Sequence, residues 1–255
     1  MRTACIILEA SGNKRIATGM SYLEESLRKA GYEIVKVSEA EVEQYRDLPG
    51  MKIYAGDRTV SAFLQDLEQK ELLLYHCPVP EGEGFYLSTV AGGLTVVSGG
   101  SDTGTMYGLL ELSERIDEAG EIPYELAFGD APVYKLRGPV LGLQKTKIEP
   151  PRRTYEYPIT PDRFPWFYDK AQWEEYLDMM VKNRCNVLYI WSGHPFASLV
   201  KVPDYPEALE VTEEELQMNH EVFMWLTEEC DRRGIWVVLK FYNIHIPYEF
   251  AVYHG

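Results

Sequence analysis

Short apolar runs alternate along this chain with stretches in which apolar residues recur every three to four positions. TACIILEA (residues 3–10), MSYLEESLRKAG and YEIVKVS predict a strand, an amphipathic helix and a second strand parallel to the first. MKIYAG (51–56), SAFLQDLEQK and ELLLYHC (71–77) repeat the rhythm, so ELLLYHC is expected to be another strand. GFYLSTV and LTVVSGG, separated by Ala91, Gly92 and Gly93, predict a hairpin, with a helix following over about 103–116. Residues 117–139 mix acids, Gly and Pro without sustained periodicity and read as a domain connection.

The pattern then changes. GPVLGL (138–143) reads as a strand, and a long loop rich in Pro, Arg and Tyr follows it. KAQWEEYLDMMVKNRC places Trp173, Tyr176, Leu177, Met180 and Val181 on one helical stripe. NVLYIW is the next strand. A helix is expected from Thr212, where Thr212 and Glu215 form a capping box, with Leu216, Phe223, Leu226 and Cys230 inward and Gly234 closing it. IWVVLKFYNIH follows as a third strand. Near-continuous apolar strands alternating with full-length helices are buried on both faces and run parallel. The fold class is therefore α/β, as either the first three β units of a (β/α)8 TIM barrel or an open doubly wound sheet. The expected domains are 1–132, a small α/β domain, and 133–255. A barrel needs eight strands and roughly 200 residues or more, so an incomplete barrel is expected, the N-terminal part of a longer polypeptide.

Composition narrows the function classes. The 255 residues are 45% hydrophobic, enough for one large or two ordinary domains. A net charge of -15 and a pI near 4.8 argue against a nucleic-acid partner. At the start of the chain the apolar run CIIL is too short for a signal-peptide core or a membrane span, which predicts a cytoplasmic protein with no membrane partner. Cys5, Cys77, Cys185 and Cys230 are scattered and read as reduced packing thiols. His245, His254 and Glu249 fit no helical ligand spacing, and Pro247 interrupts them, so no metal is expected; nothing calls for a cofactor.

VVSGGSDTGTMYG (96–108) admits two readings. A Gly-rich turn entering a helix can cradle a phosphate, which would make this a nucleotide-binding α/β protein. However, it lacks the Walker lysine, does not match GxGxxG and carries Asp102 where a phosphate would sit. As structure, Ser101 or Asp102 caps the helix and the glycines permit the turn. The stretch GGLTVVSGGSDTGTMYGLLELSERI resembles the end of the accessory α/β domain that precedes the barrel in β-hexosaminidases and family 67 α-glucuronidases, glycoside hydrolases in which that domain is a scaffold. KLRGPVLGL, with Arg137 and Gly138, resembles their first barrel strand. WEEYLDMMVKNRCNVLYIWSGHPF to LVKVPDYPE resembles α-glucuronidase-like bacterial proteins. The resemblance implies a hydrolase of poly- or oligosaccharides. Hexosaminidases follow the Arg-Gly strand with an Asp and a sugar-holding Arg; here Gln144, Lys145 and Lys147 stand nearby, so that specificity does not carry over.

Barrel enzymes build their sites at the C-terminal ends of the strands. Those ends offer Gln144 and Lys145, then Trp191, Ser192 and His194, then Lys240, Asn243 and His245. Gln144, Lys145, Trp191, His194, Lys240 and Asn243 are the candidate substrate-binding residues: amide, imidazole and ammonium groups bond hydroxyls or a uronate carboxylate, and aromatic faces meet the sugar ring. Each has a plain alternative, Lys240 snorkelling or ion-paired and His194 satisfying local backbone. Arg152, Arg153, Tyr155, Tyr157, Trp166 and Tyr168 of loop 149–169 either wall a cleft or pack structurally. Glycoside hydrolysis needs two carboxyls, about 5 Å apart when retaining and about 6.5–9.5 Å when inverting. None of the three strand ends carries one, so the catalytic residues are unknown and expected beyond residue 255, and this chain alone is expected to be inactive. The alternative is a non-catalytic carbohydrate-binding or scaffold protein. The exposed strand edge of an incomplete barrel predicts homo-oligomerisation.

Overall fold

The computed structural model describes residues 2–8, 13–38, 47–153, 155–240 and 246–254 and divides into two units, Met1–Lys135 and Leu136–Gly255. The fold is α/β, with sheets in which parallel pairing predominates.

In the first unit, β1 (Arg2–Leu8), β2 (Tyr32–Ser38), β3 (Met51–Asp57), β4 (Phe85–Val90), β5 (Leu94–Gly99) and β6 (Ala127–Asp130) form one sheet in the order β2-β1-β3-β5-β4-β6. β1 lies parallel to β2 and β3, β3 lies parallel to β5, and β4 pairs antiparallel with β5 and β6. Three helices serve it: α1 (Lys14–Lys29), α2 (Ala62–Gln69) and α3 (Asp102–Ala119), capped by the side chains of Asn13, Ser61 and Ser101. Gly19 lets α1 approach α3, since a Cβ there would crowd Leu109 and the Met106 backbone.

Two segments differ from their expected form. ELLLYHC is not a strand. Glu71 turns back with φ 56, and the Leu72 and Leu73 N–H groups both donate to the Leu67 carbonyl at 2.9 and 3.2 Å. Leu73 thereby enters the core beside Tyr54, Leu64 and Tyr86, while β5 takes the place beside β3. The stretch read as a connection contains the edge strand β6, held where Thr89 and Leu126 exchange hydrogen bonds and where Gly129 leaves room for Cys77.

In the second unit, β7 (Val140–Gly142), β8 (Val187–Trp191) and β9 (Trp236–Lys240) form a parallel sheet in that order. α4 (Lys170–Lys182) and α6 (Glu213–Arg232) follow β7 and β8, with the short α5 (Phe196–Leu199) between β8 and α6, and α7 (Tyr248–His254) after β9. Asp169 caps α4, and α6 opens with the Thr212–Glu215 capping box. Gly234 follows α6 with φ 66, the left-handed geometry that glycine adopts without strain. Trp173, Leu177 and Met180 of α4, Leu188 and Ile190 of β8, and Val222, Leu226 and Cys230 of α6 share one core. Arg137 and Gly138 serve this packing. A Cβ on Gly138 would overlap the Val187 carbonyl, and Arg137 donates to the Arg184 carbonyl at 2.9 Å and receives Asn186 N–H at 2.8 Å.

Candidate functional site

Strand alternation decides which side chains can meet beyond the sheet. Leu141 and Leu143 of the β7 region face the core with Leu188 and Ile190. The interleaved positions therefore face the other way. Register then aligns Gly142, Trp191 and Lys240 in one row at the C-terminal ends of the three strands. In that row the Lys240 ammonium lies 4.4 Å from the centre of the Trp191 ring, a cation–π pair. Trp191 thus gives one face to Lys240 rather than to a ligand. Beside Trp191, Gly142 carries no side chain, and among the described residues a Cβ there would meet only the Gln144 side-chain oxygen, at 4.0 Å.

Gln144 continues the row and brings in a residue from the long loop. It forms an isolated antiparallel bridge with Glu156, and its Nε2 donates to Glu156 Oε1 at 2.9 Å. Glu156 belongs to the loop and not to a strand end, and folding carries it to one of those ends. The only sequence signal was the length of the loop, because nothing in the spacing of residues 144 and 156 announces a bridge. Lys145 follows Gln144 and so points to the opposite side, where its ammonium lies 5.4 Å from the centre of the Phe164 ring. The structure brings Gln144, Trp191 and Lys240 to one face and turns Lys145 from it.

His194 belongs to a different environment. Its Nδ1 accepts the Ala197 N–H at 3.2 Å, at the start of α5, as expected of a histidine serving local backbone. It also lines an apolar cavity of about 280 Å³ with Phe196, Val200, Tyr205 and Phe250. Asn243 and His245 lie outside the described residues. Among the described residues no cluster of His, Cys, Asp and Glu gathers as a metal would require, and His254 instead bonds Glu207.

Most of the loop's aromatics are structural. Tyr157 is buried, and Trp166 and Tyr168 pack against the core of the second unit. The Tyr168 hydroxyl donates to Asn219 Oδ1 at 2.5 Å, while Asn219 Nδ2 donates to the carbonyls of Ile159 and Ser198, both at 2.9 Å. Burial foremost, with Glu215 and Asp162 nearby, pushes the Tyr168 phenol well above its usual range, so it stays a donor. Arg152 donates to Glu210 at 2.7 Å and to the Glu156 carbonyl at 3.2 Å. Arg153 and Tyr155 remain exposed on the rim.

The Gly-rich turn of the first unit is filled by its own chain. Cβ atoms on Gly99, Gly100 and Gly104 would overlap Thr105, Glu81 and the Gly84 carbonyl, so these glycines allow close backbone approach. The first α3 amides are already engaged: Thr103 N–H by Asp102 and Gly104 N–H by Ser101. Asp102 also receives Asn13 and Arg15.

No family model matches the sequence, and no curated protein does. Solved structures do. A GH138 enzyme targeting pectin rhamnogalacturonan II is 39% identical with a TM-score of 0.81, over 99% of this chain and 33% of that one. A GH115 4-O-methyl-α-glucuronidase with specificity for decorated arabinogalactans matches at 16% identity and TM-score 0.50, over 92% of this chain and 28% of that one. A GH20 chitobiase of Flavobacterium johnsoniae matches at 14% and 0.52, over 92% and 30%. The last two bear on fold alone. Together they define the class: the chain has a glycoside-hydrolase-like α/β fold. Within that class the likeness at 39% identity is to the GH138 enzyme, and the chain spans about a third of that protein's length. Membership of family 67 is not what these likenesses show.

Proposed function

We propose that this chain is part of a glycoside hydrolase acting on an acidic, pectin-type polysaccharide, and that its second unit supplies the first three β units of a (β/α)8 barrel. The observation that carries the reading is the likeness to the GH138 enzyme along nearly the whole chain. The strand-end row supports it chemically. Lys240 offers a fixed positive charge for a uronate carboxylate, Gln144 offers an amide for hydroxyls, and the bare backbone at Gly142 leaves room for a ring. An α-glucuronidase-like preference for a uronic-acid linkage belongs to this proposal. The two carboxyls of hydrolysis call for residues beyond those assembled here, so the chain is expected to bind saccharide without cleaving it.

Isothermal titration of the 255-residue chain with methyl galacturonide, methyl glucuronide and their neutral parents tests this reading. Uronates should bind more tightly than neutral sugars, and Lys240→Met should remove the difference. Equal affinity for charged and neutral sugars, or a response to ATP or NAD abolished by changing Asp102, would overturn it.

A further inference from the structure

Phe196, Val200, Val202, Tyr205 and Ile246 of the second unit are each more than a third exposed. Scattered exposures of this kind are ordinary on a protein surface, but these five side chains surround one cavity of about 280 Å³, and Phe250 joins them. His194, three residues past the end of β8, lines it as well.

Both walls are held by contacts of their own. One wall is the segment after β8. Val200 N–H donates to the Phe196 carbonyl at 2.9 Å and Tyr205 N–H to the Val202 carbonyl at 3.0 Å, while the Ser198 and Leu199 carbonyls bond Asn219 and His220 of α6 at 2.9 and 2.6 Å. The other wall is α7, which follows β9. The Tyr205 ring lies 5.5 Å from Phe250 and 5.6 Å from His254, and His254 bonds Glu207 across the same junction. The cavity is therefore preformed, as small-molecule sites commonly are.

Its chemistry selects against sugars and anions. Among the described residues lining it, none is an acid, a lysine or an arginine. Sugar hydroxyls or a carboxylate would lose water there without gaining enough partners, whereas apolar surface gains by entering. Size narrows the choice further. A cavity of about 150 Å³ lined by aliphatic and aromatic side chains holds benzene, so this one has room for a ring and a short substituent. Aromatic rings favour edge-to-face partners, which Phe196, Tyr205 and Phe250 supply.

We propose that this cavity is a binding site for one uncharged six-membered aromatic ring bearing a short substituent. The ring belongs either to a free phenol-type compound or to an aryl group carried on a saccharide, and the two sources share the chemistry that the cavity recognises.

The test is titration of the 255-residue chain with 4-ethylphenol, 4-ethylcyclohexanol and glucose. The phenol should bind saturably, with a dissociation constant on the order of 1 mM or tighter. The cyclohexanol should bind about tenfold more weakly, and glucose should give no heat. Ala208→Phe places a ring in the cavity and should abolish phenol binding with the fold intact by circular dichroism; if it fails to fold, Val202→Phe carries the test. Comparing 4-ethylphenyl galacturonide with methyl galacturonide separates the sources. A gain of about tenfold that Ala208→Phe removes assigns the ring to a saccharide substituent, and phenol binding without that gain assigns it to a free compound. No heat with 4-ethylphenol, or binding that both filling variants leave unchanged, would overturn the proposal while leaving the Lys240 reading standing. Chains that associate in light scattering, dissociate with Val202→Asp and give no heat with 4-ethylphenol would assign this face to a second copy and overturn it equally.

Discussion

Replacing Arg233 with alanine tests how the second unit is held together. The guanidinium is 2% exposed at the end of α6; Nε and Nη2 donate to Asp178 of α4 at 2.8 and 2.6 Å, and Nη1 donates to the Glu229 carboxylate at 2.5 Å. Breaking a buried pair by deleting one partner costs about 3–5 kcal/mol when the other is left without water. Here Asp178 is 36% exposed and recovers hydration, whereas Glu229 at 16% recovers less. The expected loss is therefore about 2–3 kcal/mol. For a unit of this size that lowers Tm by about 10 °C. All five tryptophans lie between residues 166 and 236, so fluorescence reports this unit while circular dichroism reports both. The difference should also depend on pH. Burial pushes the Glu229 carboxyl up, but hydrogen bonds from Arg232 and Arg233 outweigh it and hold the group below its ordinary value. A depressed carboxyl stabilises fully above its unfolded pKa and loses that contribution as pH falls through the folded one. The gap between wild type and variant should therefore be widest at neutral pH and narrow in acid. A fluorescence midpoint within 3 °C of wild type at pH 7 would refute this account of the clamp.

Further outcomes can be checked alongside. Gly138→Ala drives a methyl into the Val187 carbonyl, so β7 must separate from β8; the fluorescence transition should lose cooperativity while the first unit's far-ultraviolet signal persists. Asp102→Asn should cost about 1 kcal/mol at neutral pH. Burial raises that carboxyl, but Asn13, Arg15 and Thr103 outweigh burial and lower it, so urea midpoints of variant and wild type should converge as pH falls through the folded value. Burial pushes the Cys230 thiol up to about 12, and Cys5 is also buried, so native-state labelling with a thiol reagent should modify Cys77 and Cys185 first. Trp236 and Val140 are largely exposed on edge strands, so light scattering should detect association that a charged substitution at Trp236 suppresses.

What could be read from sequence divides along the range of the forces. The Thr212–Glu215 box, the closing Gly234 and the hairpin at residues 91–93 are local, set by neighbours within four or five positions, and they stand where expected. ELLLYHC has strand composition, but the turn at Glu71 and burial of Leu73 against Tyr54 and Tyr86 depend on residues far away in sequence. β6 was hidden because an edge strand of four residues carries little periodicity of its own. The strand ends identified Gln144, Trp191 and Lys240 as candidates, since register follows from parallel pairing. Lys145 and Glu156 exchanged prominence for one reason: the bridge between Gln144 and Glu156 is a long-range event that fixes which side of the chain each residue faces.

Asn219 bears on how such a site diversifies. By tying Ile159, Tyr168 and Ser198 to α6, it anchors the base of the long loop independently of the residues at its rim. Arg153 and Tyr155 lie outside that knot. Substitutions at the rim can therefore accumulate without unravelling the segment that bears them, and a library randomised at these two positions should yield folded proteins that differ chiefly in what they grip.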